Sequence, residues 1–359
     1  MSHLSAFREN LEQQGFSAAI ISNTTNQFYL TNFDFEDGLV LVTPKRAYVL
    51  TDFRYVEAAR AQCASDFEIL TPEQGHLACI RGILEEQKIS KVAVEEASLS
   101  YGDYQRYSEK LPTVQLESGA SKLLDLQRQV KDQAELDSMA KAQAVTDAAF
   151  SHILKVITPN MTEIEVALEL EFFMRRNGAQ GLAFNTITVS GSASSLPHGV
   201  PRNKKLEKGF LTMDFGARVN GYCSDMTRTV VIGKADAEMK KLYNTVLSAQ
   251  LAALDAASEG ASCRGLDKIA RDIIDGNDCY KGAFGHSLGH GVGLYIHEEP
   301  RLSTKAPEKA RLQRGNVVTF EPGIYLEGKY GCRIEDMVGI RPDGSVINFT
   351  KSPKELIEL

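Results

Sequence analysis

The chain is expected to fold as an α/β domain followed by a larger α+β domain. In the first third, short apolar strands alternate with amphipathic helices, whereas the remainder opens with long helices and then supplies β-rich segments. A polar, helix-prone stretch at 118–133 separates the two patterns, and a length of 359 residues suits two domains. We therefore predict an N-terminal domain at 1–125 and a C-terminal domain at 126–359.

The N-terminal elements follow from local signals. Residues 4–14 have an amphipathic helical pattern that Gly15 closes, and Ala18–Ser22 is a short apolar strand. Residues 44–46, Pro-Lys-Arg, separate two β-rich runs and predict a hairpin. The remaining predicted elements are helices at 55–62 and 76–87 and a buried strand at 91–96.

The C-terminal part begins with helices. Residues 134–157 have helical periodicity and stop before Pro159. Thr162 and Glu165 form a capping-box pattern for a second helix that ends at Gly178. Further helices are predicted at 235–258 and 265–274, with β-rich segments at 209–233 and 315–340.

Composition narrows the class of protein. With 43% hydrophobic and 24% charged residues, the chain resembles an ordinary globular protein and not a disordered one. The net charge of −7 argues against a nucleic-acid surface, and no apolar run reaches the about 18 residues that a membrane span needs. The N-terminus lacks a secretory pattern, and the six cysteines show no CxxC spacing. We therefore expect a cytoplasmic protein with reduced thiols and neither nucleic-acid nor membrane partners.

A repeated pattern suggests that the C-terminal domain is built from two similar halves. Residues 212–216 and 319–323 share the pattern T-x-acid-x-G, with Asp214 and Glu321 as the acids. Each pattern is followed by a turn and a second acid, Asp225 in one case and Glu335 in the other. Two matching strand–turn–strand acid pairs predict halves that face each other.

The first acid pair follows from hairpin geometry. Asn220-Gly221 predicts a two-residue type I′ turn, which would place Asp214 opposite Thr227 and Gly216 opposite Asp225. Because side chains alternate along a strand, both acids would then share a face as diagonal neighbours about 7–8 Å apart. Two carboxylates directed at one point repel unless a cation lies between them, and we expect Gly216 to leave space for it.

The second acid pair depends on the length of its loop. A three-residue loop at 327–329 would set Glu321 directly opposite Glu335, although Pro322 indicates an edge or a bulge at that point. Each acid on its own could be an ordinary partner of Arg or Lys. Two convergent pairs within apolar strands instead favour a cation site.

A histidine-rich segment supplies a further ligand candidate. Residues 285–300 contain three of the seven histidines of the chain among several glycines. One imidazole with four carboxylates suits a pair of divalent ions such as Mn or Co better than structural zinc. Such a pair lowers the pKa of a bridging water to about 7 and polarises a carbonyl, which is the chemistry of amide hydrolysis.

These motifs resemble a known family. The segment His286–Glu298 is similar, position for position, to the signature of the proline-specific peptidases of the pita-bread fold, the Xaa-Pro aminopeptidases and Xaa-Pro dipeptidases. MDFGARVNGYCSDMTRT, TFEPGIY and RIED resemble the other metal-bearing strands of that family, and SSLPHGVP resembles a segment with an active-site histidine. The resemblance runs from about Gln129 to the C-terminus and continues more weakly into VLTDFRYVEAA. It implies a creatinase-like α/β N-terminal domain and a catalytic pita-bread domain with two pseudo-symmetric halves.

The resemblance also implies residue roles. The implied metal ligands are Asp214, Asp225, His290, Glu321 and Glu335. Glu321 would also shuttle a proton, and His198 and His297 would contact the substrate and steady the reaction intermediate. His286 would lie near a proline pocket, and Arg333 would support Glu335. The implied cofactor is two divalent metal ions per chain, Mn first with Co, Zn or Fe as alternatives, and the implied partners are short peptides with proline in second position and a second copy of the chain in a homodimer.

Several alternatives remain open on the sequence. His198 and His286 could simply line a cleft, and Arg333 could be a plain ion-pair partner. A strict dipeptidase needs a cation for the free carboxylate of its substrate, for which Arg54, Arg202 and Arg301 are candidates. The motif TDFRY, together with the absence of the acidic and histidine pattern that is typical of dedicated dipeptidases, favours the aminopeptidase over the dipeptidase. Metal-free creatinase-like enzymes and non-catalytic pita-bread binding modules are disfavoured, because no ligand position is substituted.

Overall fold

The computed structural model describes residues 2–359 and divides into two compact units between Arg128 and Gln129. This division lies beside the boundary predicted at 125/126. No helix in the described range 2–359 combines the length and the hydropathy that are required to cross a membrane.

The first unit is an α/β domain built on one mixed sheet. Its helices are α1 (His3–Gln13), α2 (Thr24–Thr31), α3 (Val56–Gln62), α4 (His76–Glu86), α5 (Tyr101–Lys110) and α6 (Ala120–Arg128). Its strands are β1 (Ala18–Ile21), β2 (Gly38–Val42), β3 (Ala47–Thr51), β4 (Phe67–Leu70), β5 (Lys91–Val94) and β6 (Gln115–Ser118). The strand order is β4-β3-β2-β1-β5-β6. The predicted hairpin is confirmed, because Val42 pairs with Ala47 across residues 43–46.

The second unit contains long helices and several small sheets. Its helices are α7 (Gln133–Val156), α8 (Glu163–Arg176), α9 (Ala237–Asp255) and α10 (Cys263–Asp275). Its strands are β7 (Gly181–Leu182), β8 (Ile187–Ser190), β9 (Gly209–Phe215), β10 (Ala217–Val219), β11 (Tyr222–Cys223), β12 (Met226–Ile232), β13 (Gly289–Gly291), β14 (Glu298–Leu302), β15 (Val317–Phe320), β16 (Gly323–Leu326), β17 (Tyr330–Arg333), β18 (Asp336–Ile340) and β19 (Val346–Asn348). The predicted capping box of α8 is confirmed, with Thr162 and Glu165 bonding each other's backbone.

Each half of this unit joins a helix pair to a hairpin. In the first half, α7 and α8 pack on β9 and β12, and in the second half α9 and α10 pack with β15 and β18. Leu211, Met213 and Phe215 bury their side chains in the core of the first half. Because side chains alternate along a strand, Asp214 is on the opposite face of β9. The amide of Glu335 donates to the carbonyl of Thr227 (3.1 Å) and joins the two halves at this face.

The register of the first hairpin is confirmed. Asn220 and Gly221 both have positive φ, 50° and 81°, as a type I′ turn requires. Asp214 pairs with Thr227 on the β9–β12 ladder, as the turn predicts. The two strands therefore keep one register from the turn to the acid.

The second hairpin also keeps its predicted register. Leu326 pairs with Tyr330, so the loop has the three expected residues. The pairing is interrupted around Pro322, and beyond this interruption Phe320 pairs with Asp336. Both pairs belong to one register, which places Glu321 opposite Glu335 within the interruption.

Candidate active site

The site residues predicted from the sequence line one cavity of about 680 Å³ in the second unit. These residues are His198, Asp214, Asp225, His286, His290, His297, Glu321, Arg333 and Glu335. The two hairpins contribute the acids, and the segment around β13 contributes three of the histidines. Residues that are far apart in the chain therefore meet at one centre.

The centre of the cavity is a buried cluster of an imidazole and carboxylates. Asp225, His290 and Glu335 each offer a ligand atom, and these atoms lie within 4.8 Å of one another. Nε2 of His290 lies 3.5 Å from Oδ2 of Asp225 and 3.3 Å from Oε1 of Glu321. Such spacing suits atoms that surround a common cation.

The hydrogen bonds of His290 select its tautomer. Nδ1 lies 3.0 Å from the carbonyl oxygen of Gly291, which can only accept, so Nδ1 carries the proton. Nε2 then directs its lone pair at the carboxylates. Burial lowers the pKa of His290 to about 3, so the ring is neutral. A neutral imidazole with a fixed second nitrogen is the form that binds a metal ion.

The carboxylates are buried close to one another, and the charge of Arg333 compensates them only in part. Burial, followed by repulsion from Glu335 and other acids, raises the pKa of Asp225 well above its ordinary value. Burial also raises the pKa of Glu335 well above its usual range and that of Glu321 to about 8. In addition, Oδ1 of Asp214 is buried and has no hydrogen-bond partner among residues 2–359. The donor set therefore fits divalent cations, which would offset the repulsion and occupy the unpaired oxygen.

Arg333 links two of the acids. Its Nη2 lies 2.5 Å from Oδ2 of Asp214. Its Nε donates to Oγ1 of Thr227 (3.0 Å), and that hydroxyl donates to Oε2 of Glu335 (2.8 Å). The arginine thus contacts Asp214 directly and reaches Glu335 through Thr227, and the expected support of Glu335 by Arg333 stays a prediction.

A tyrosine that the sequence analysis did not single out fixes His286. Nη1 of Arg333 donates to the hydroxyl oxygen of Tyr325 (2.7 Å), and this hydroxyl lies 3.0 Å from Nε2 of His286. Nδ1 of His286 lies 2.9 Å from the carbonyl of Ser287, so Nδ1 donates there and Nε2 accepts from the tyrosine. Burial lowers the pKa of His286 to about 4, and the ring is neutral.

His198 and His297 lie on the exposed wall of the cavity. The ring of His297 meets that of His290 edge to face, with 4.4 Å between centroids. Burial and the charge of Arg301 lower the pKa of His297. Both side chains are therefore placed to contact a molecule in the cavity.

The expected role of Gly216 is wrong. A Cβ atom there would lie 2.0 Å from the carbonyl oxygen of Ser224 and 3.0 Å from side-chain atoms of Ala183 and Phe184. The glycine therefore permits close approach of backbone and side chains, and leaves no open space for a cation.

Two residues of the site were missed, although the sequence held a signal for each. The predicted register already placed Thr227 opposite Asp214, and Tyr325 belongs to the TFEPGIY motif. Neither is an acid or a histidine, so a search for metal ligands passed over them. Their function here is to orient groups that can bind a ligand.

Comparisons with known proteins agree with this geometry. The profile of metallopeptidase family M24 matches residues 137–342, and that of the creatinase/prolidase N-terminal domain matches residues 3–130. The solved structure of an Xaa-Pro dipeptidase from Bacillus anthracis is 39% identical over 99% of both chains, with a TM-score of 0.94. That of an X-Pro aminopeptidase from Thermotoga maritima is 34% identical over 98% of this chain and 100% of the other, with a TM-score of 0.90. An Xaa-Pro dipeptidase of Pyrococcus horikoshii is 34% identical over 97% of each chain.

The predicted fold class, a creatinase-like α/β domain followed by a pita-bread domain with two similar halves, is confirmed by these matches. The prediction of a metal-dependent peptidase is confirmed as well. The chain belongs to metallopeptidase family M24 and carries a creatinase/prolidase N-terminal domain.

Proposed function

We propose that the protein is an exopeptidase that hydrolyses the bond between an N-terminal residue and a following proline. The convergence of four carboxylates and one imidazole in a single cavity carries this proposal, and the relatives named as Xaa-Pro peptidases support it. The proposed ligands of two divalent ions are Asp214, Asp225, His290, Glu321 and Glu335. Mn is the first choice, because the set is rich in oxygen donors.

The side chains around the ions have separate tasks. When bound, a pair of divalent ions polarises a peptide carbonyl and makes a water nucleophilic near neutral pH. The carboxylate of Glu321 lies at the centre of the cavity, with Oε1 3.3 Å from Nε2 of His290. We assign it the transfer of a proton to the departing proline nitrogen, which needs one because the leaving group is an amine. His198 and His297 donate hydrogen bonds to the substrate.

The proline ring explains why such a site is needed. An Xaa-Pro bond has no N–H for a protease to bind, and its ring holds the φ of proline at about −65°, away from the fully extended strand that general proteases recognise. Tyr325 fixes the ring of His286 at the cavity wall. We assign His286 and Tyr325 to the part of the cavity that receives proline.

The position of Arg301 favours dipeptides as substrates. Of the three candidate cations, Arg202 is paired with Glu163, and Arg54 is paired with Asp37 and Asp52. Arg301 lines the cavity, and its positive charge acts on His297 and Glu321. A guanidinium at the cavity wall suits the terminal carboxylate of an Xaa-Pro dipeptide. The proposal therefore moves from the aminopeptidase that the sequence favoured to a dipeptidase.

Matched substrates and one variant test this preference. We expect the dipeptide Ala-Pro to be cleaved with a kcat/KM at least about tenfold higher than its C-terminal amide or the tripeptide Ala-Pro-Ala, because only the dipeptide places its carboxylate there. Arg301→Met should remove that difference, while the control Arg311→Met, a surface arginine, should keep it. Faster cleavage of the tripeptide, with no effect of Arg301→Met, would instead identify an aminopeptidase.

The identity of the metal, the oligomeric state and the hydrolytic activity can each be tested directly. Reconstitution of the chelator-treated protein with Mn, Co, Zn or Fe should give the highest activity with Mn. Sedimentation should give the mass of a homodimer, as the resemblance implies. A metal-loaded protein that hydrolyses no Xaa-Pro peptide would support the binding-module alternative and contradict the proposal.

A further inference from the structure

A carboxylate outside the cavity is completely buried at the start of α8. Glu163 is the first residue of this helix and is 0% exposed, whereas its neighbour Glu165 serves the exposed capping box. A buried carboxylate is costly unless hydrogen bonds and charge satisfy it, so its partners indicate its purpose.

Glu163 bonds both ends of a single segment. Its Oε1 accepts from the amide (2.7 Å) and the hydroxyl (2.8 Å) of Ser190, where β8 ends. Its Oε2 accepts from the amide (3.0 Å) and Nε (2.8 Å) of Arg202, and Nη2 of Arg202 reaches Oε1 at 2.6 Å. One side chain thus closes the segment at 190–202. Burial raises the pKa of Glu163, but the hydrogen bonds from Arg202 and Ser190 outweigh burial and hold the pKa below its ordinary value.

The closed segment carries His198. Its middle makes few apolar contacts, because Leu196 and Val200 are 58% and 77% exposed. Two polar contacts reach it from the cavity side: the carbonyl of Pro197 accepts from Arg333 (3.3 Å), and Oγ of Ser194 accepts from the amide of Gly331 (3.0 Å). The turn before His198 is packed, because Gly191, Ala193, Ser194 and Ser195 are buried. This turn, the contacts from the cavity side and the fixed ends together determine where the segment lies.

We propose that Glu163 is a positioning residue for His198. It does not contact the cavity, and it acts by holding Ser190 and Arg202 so that the imidazole between them stays in place. The inference rests on the proposed function in that His198 contacts the substrate. Misplacement of a catalytic group by about 1 Å can reduce turnover by about 100-fold, so a distant anchor can matter.

The kinetic test combines two variants. Glu163→Gln should lower kcat for Ala-Pro by at least about tenfold in the wild-type background. In a His198→Ala background the same change should cost less than about twofold, because the group that it positions is already absent. Glu165→Gln alters the same helix start without touching the segment and should leave kcat within about twofold. An equal loss from Glu163→Gln in both backgrounds would overturn the proposal.

A readout that needs no activity separates this inference from the proposed function. Hydrogen exchange of the amides at 191–201 should quicken by at least about tenfold in Glu163→Gln and stay unchanged in Glu165→Gln, because local opening sets the exchange rate. Metal content, which depends on other residues, should not change. Unchanged exchange would show that Glu163 does not hold the segment, even in an active enzyme.

A wild-type protein that is inactive on all Xaa-Pro peptides would contradict the proposed function. The exchange rates would then still decide whether Glu163 holds the segment. If Glu163→Gln does not fold, Arg202→Met, at a partly exposed residue, serves in the same comparisons.

Discussion

Nη2 of Arg333 lies 2.5 Å from Oδ2 of Asp214, while Oδ1 of the same carboxylate is buried and finds no hydrogen-bond partner in the described part of the chain. The arginine thus fixes the carboxylate in one orientation and satisfies only one of its oxygens. The other oxygen is left for a cation. A hydrogen-bonded ligand with one free donor atom is the arrangement that orients protein side chains around metal ions.

Replacement of Arg333 should weaken metal binding without removing a ligand. We expect Arg333→Met to lower the affinity for Mn by about 10- to 100-fold, because Asp214 and Thr227 lose the group that orients them. Titration calorimetry of the chelator-treated protein measures this directly. Arg341→Met, on an exposed turn, is the matched control and should bind Mn as the wild type does. Equal affinities of the two variants would show that Arg333 does not orient the ligands.

Removal of a proposed ligand should differ sharply from removal of a nearby thiol. Asp225→Ala or Glu335→Ala should abolish hydrolysis and lower the metal content, because both side chains belong to the central cluster. Cys223→Ala should keep most of the activity. Its sulfur is buried, donates to the carbonyl of Leu294 (3.6 Å) and has a pKa that burial raises to about 11, so it remains a thiol. Metal analysis and an Ala-Pro assay on the same preparations test both expectations, and an inactive cysteine variant would contradict the assignment.

The metal-free protein should lose stability as the pH rises from 6.5 to 8. Burial raises the pKa of Glu321 from 4.5 to about 8, so in this window the folded state binds a proton that the unfolded state has already released. Unfolding then releases protons, and its free energy falls as the pH rises. His286 and His290, with pKa values lowered to about 4 and about 3, are neutral in the folded state throughout this window. In the unfolded state their pKa is about 6.5, so they lose their remaining protons between pH 6.5 and about 7.5 and offset part of the decrease there.

Two comparisons isolate the contribution of Glu321. Bound metal replaces the protons, so the metal-loaded protein should show a smaller decrease in Tm across the same window. Glu321→Gln carries no titrating group at this position, and its chelator-treated form should also show a flatter profile. Parallel Tm profiles for wild type and Glu321→Gln would indicate that the carboxyl titrates outside this window.

A buried ion pair near the C-terminus should matter for stability. Arg228 and Asp336 are 1% and 0% exposed, and Nη2 of Arg228 lies 2.9 Å from Oδ1 of Asp336. Arg228 also donates to the carbonyls of Glu335 and Ser352 and so joins the C-terminal segment to the site. Arg228→Met leaves Oδ1 of the buried Asp336 without this partner, while Lys354 still pairs with Oδ2 (2.7 Å), and it should lower the free energy of unfolding by about 3 kcal/mol in urea denaturation. The surface variant Arg46→Met should cost less than about 1 kcal/mol, and equal losses would contradict this account.

The sequence predicted the parts of the site that local rules govern. Asn220-Gly221 specifies a turn, the turn specifies a register, and the register places Asp214 and Asp225 on one face. The three-residue loop does the same for Glu321 and its partner. These relationships hold within single hairpins, so no knowledge of the rest of the fold is needed.

Contacts between distant segments could not be predicted in this way. The partner of Arg333 depends on how β17 meets β9, and the clearance at Gly216 depends on the backbone of Ser224 and on Phe184. Hairpin rules give no information about either distance. The expectation for Gly216 therefore needed correction, and the contact between Arg333 and Asp214 became visible only in the tertiary structure.

Two helices of the first unit were missed although their capping signals are present. α2 follows Asn23, whose side chain accepts from the amide of Asn26, and α5 follows Ser100, whose hydroxyl accepts from the amide of Asp103. Both helices are short and lack a clear apolar stripe, so a search by periodicity passes over them. The caps were the more informative signal here.

The metal content of the active protein tests the central claim most directly. Elemental analysis of the purified protein, reconstituted with Mn and freed of excess ions, should give two divalent ions per chain, because the cavity gathers four carboxylates and one imidazole. The same sample should hydrolyse Ala-Pro, lose that activity with chelator and regain it with Mn. Hydrolysis that persists in protein shown to contain no metal would contradict the account.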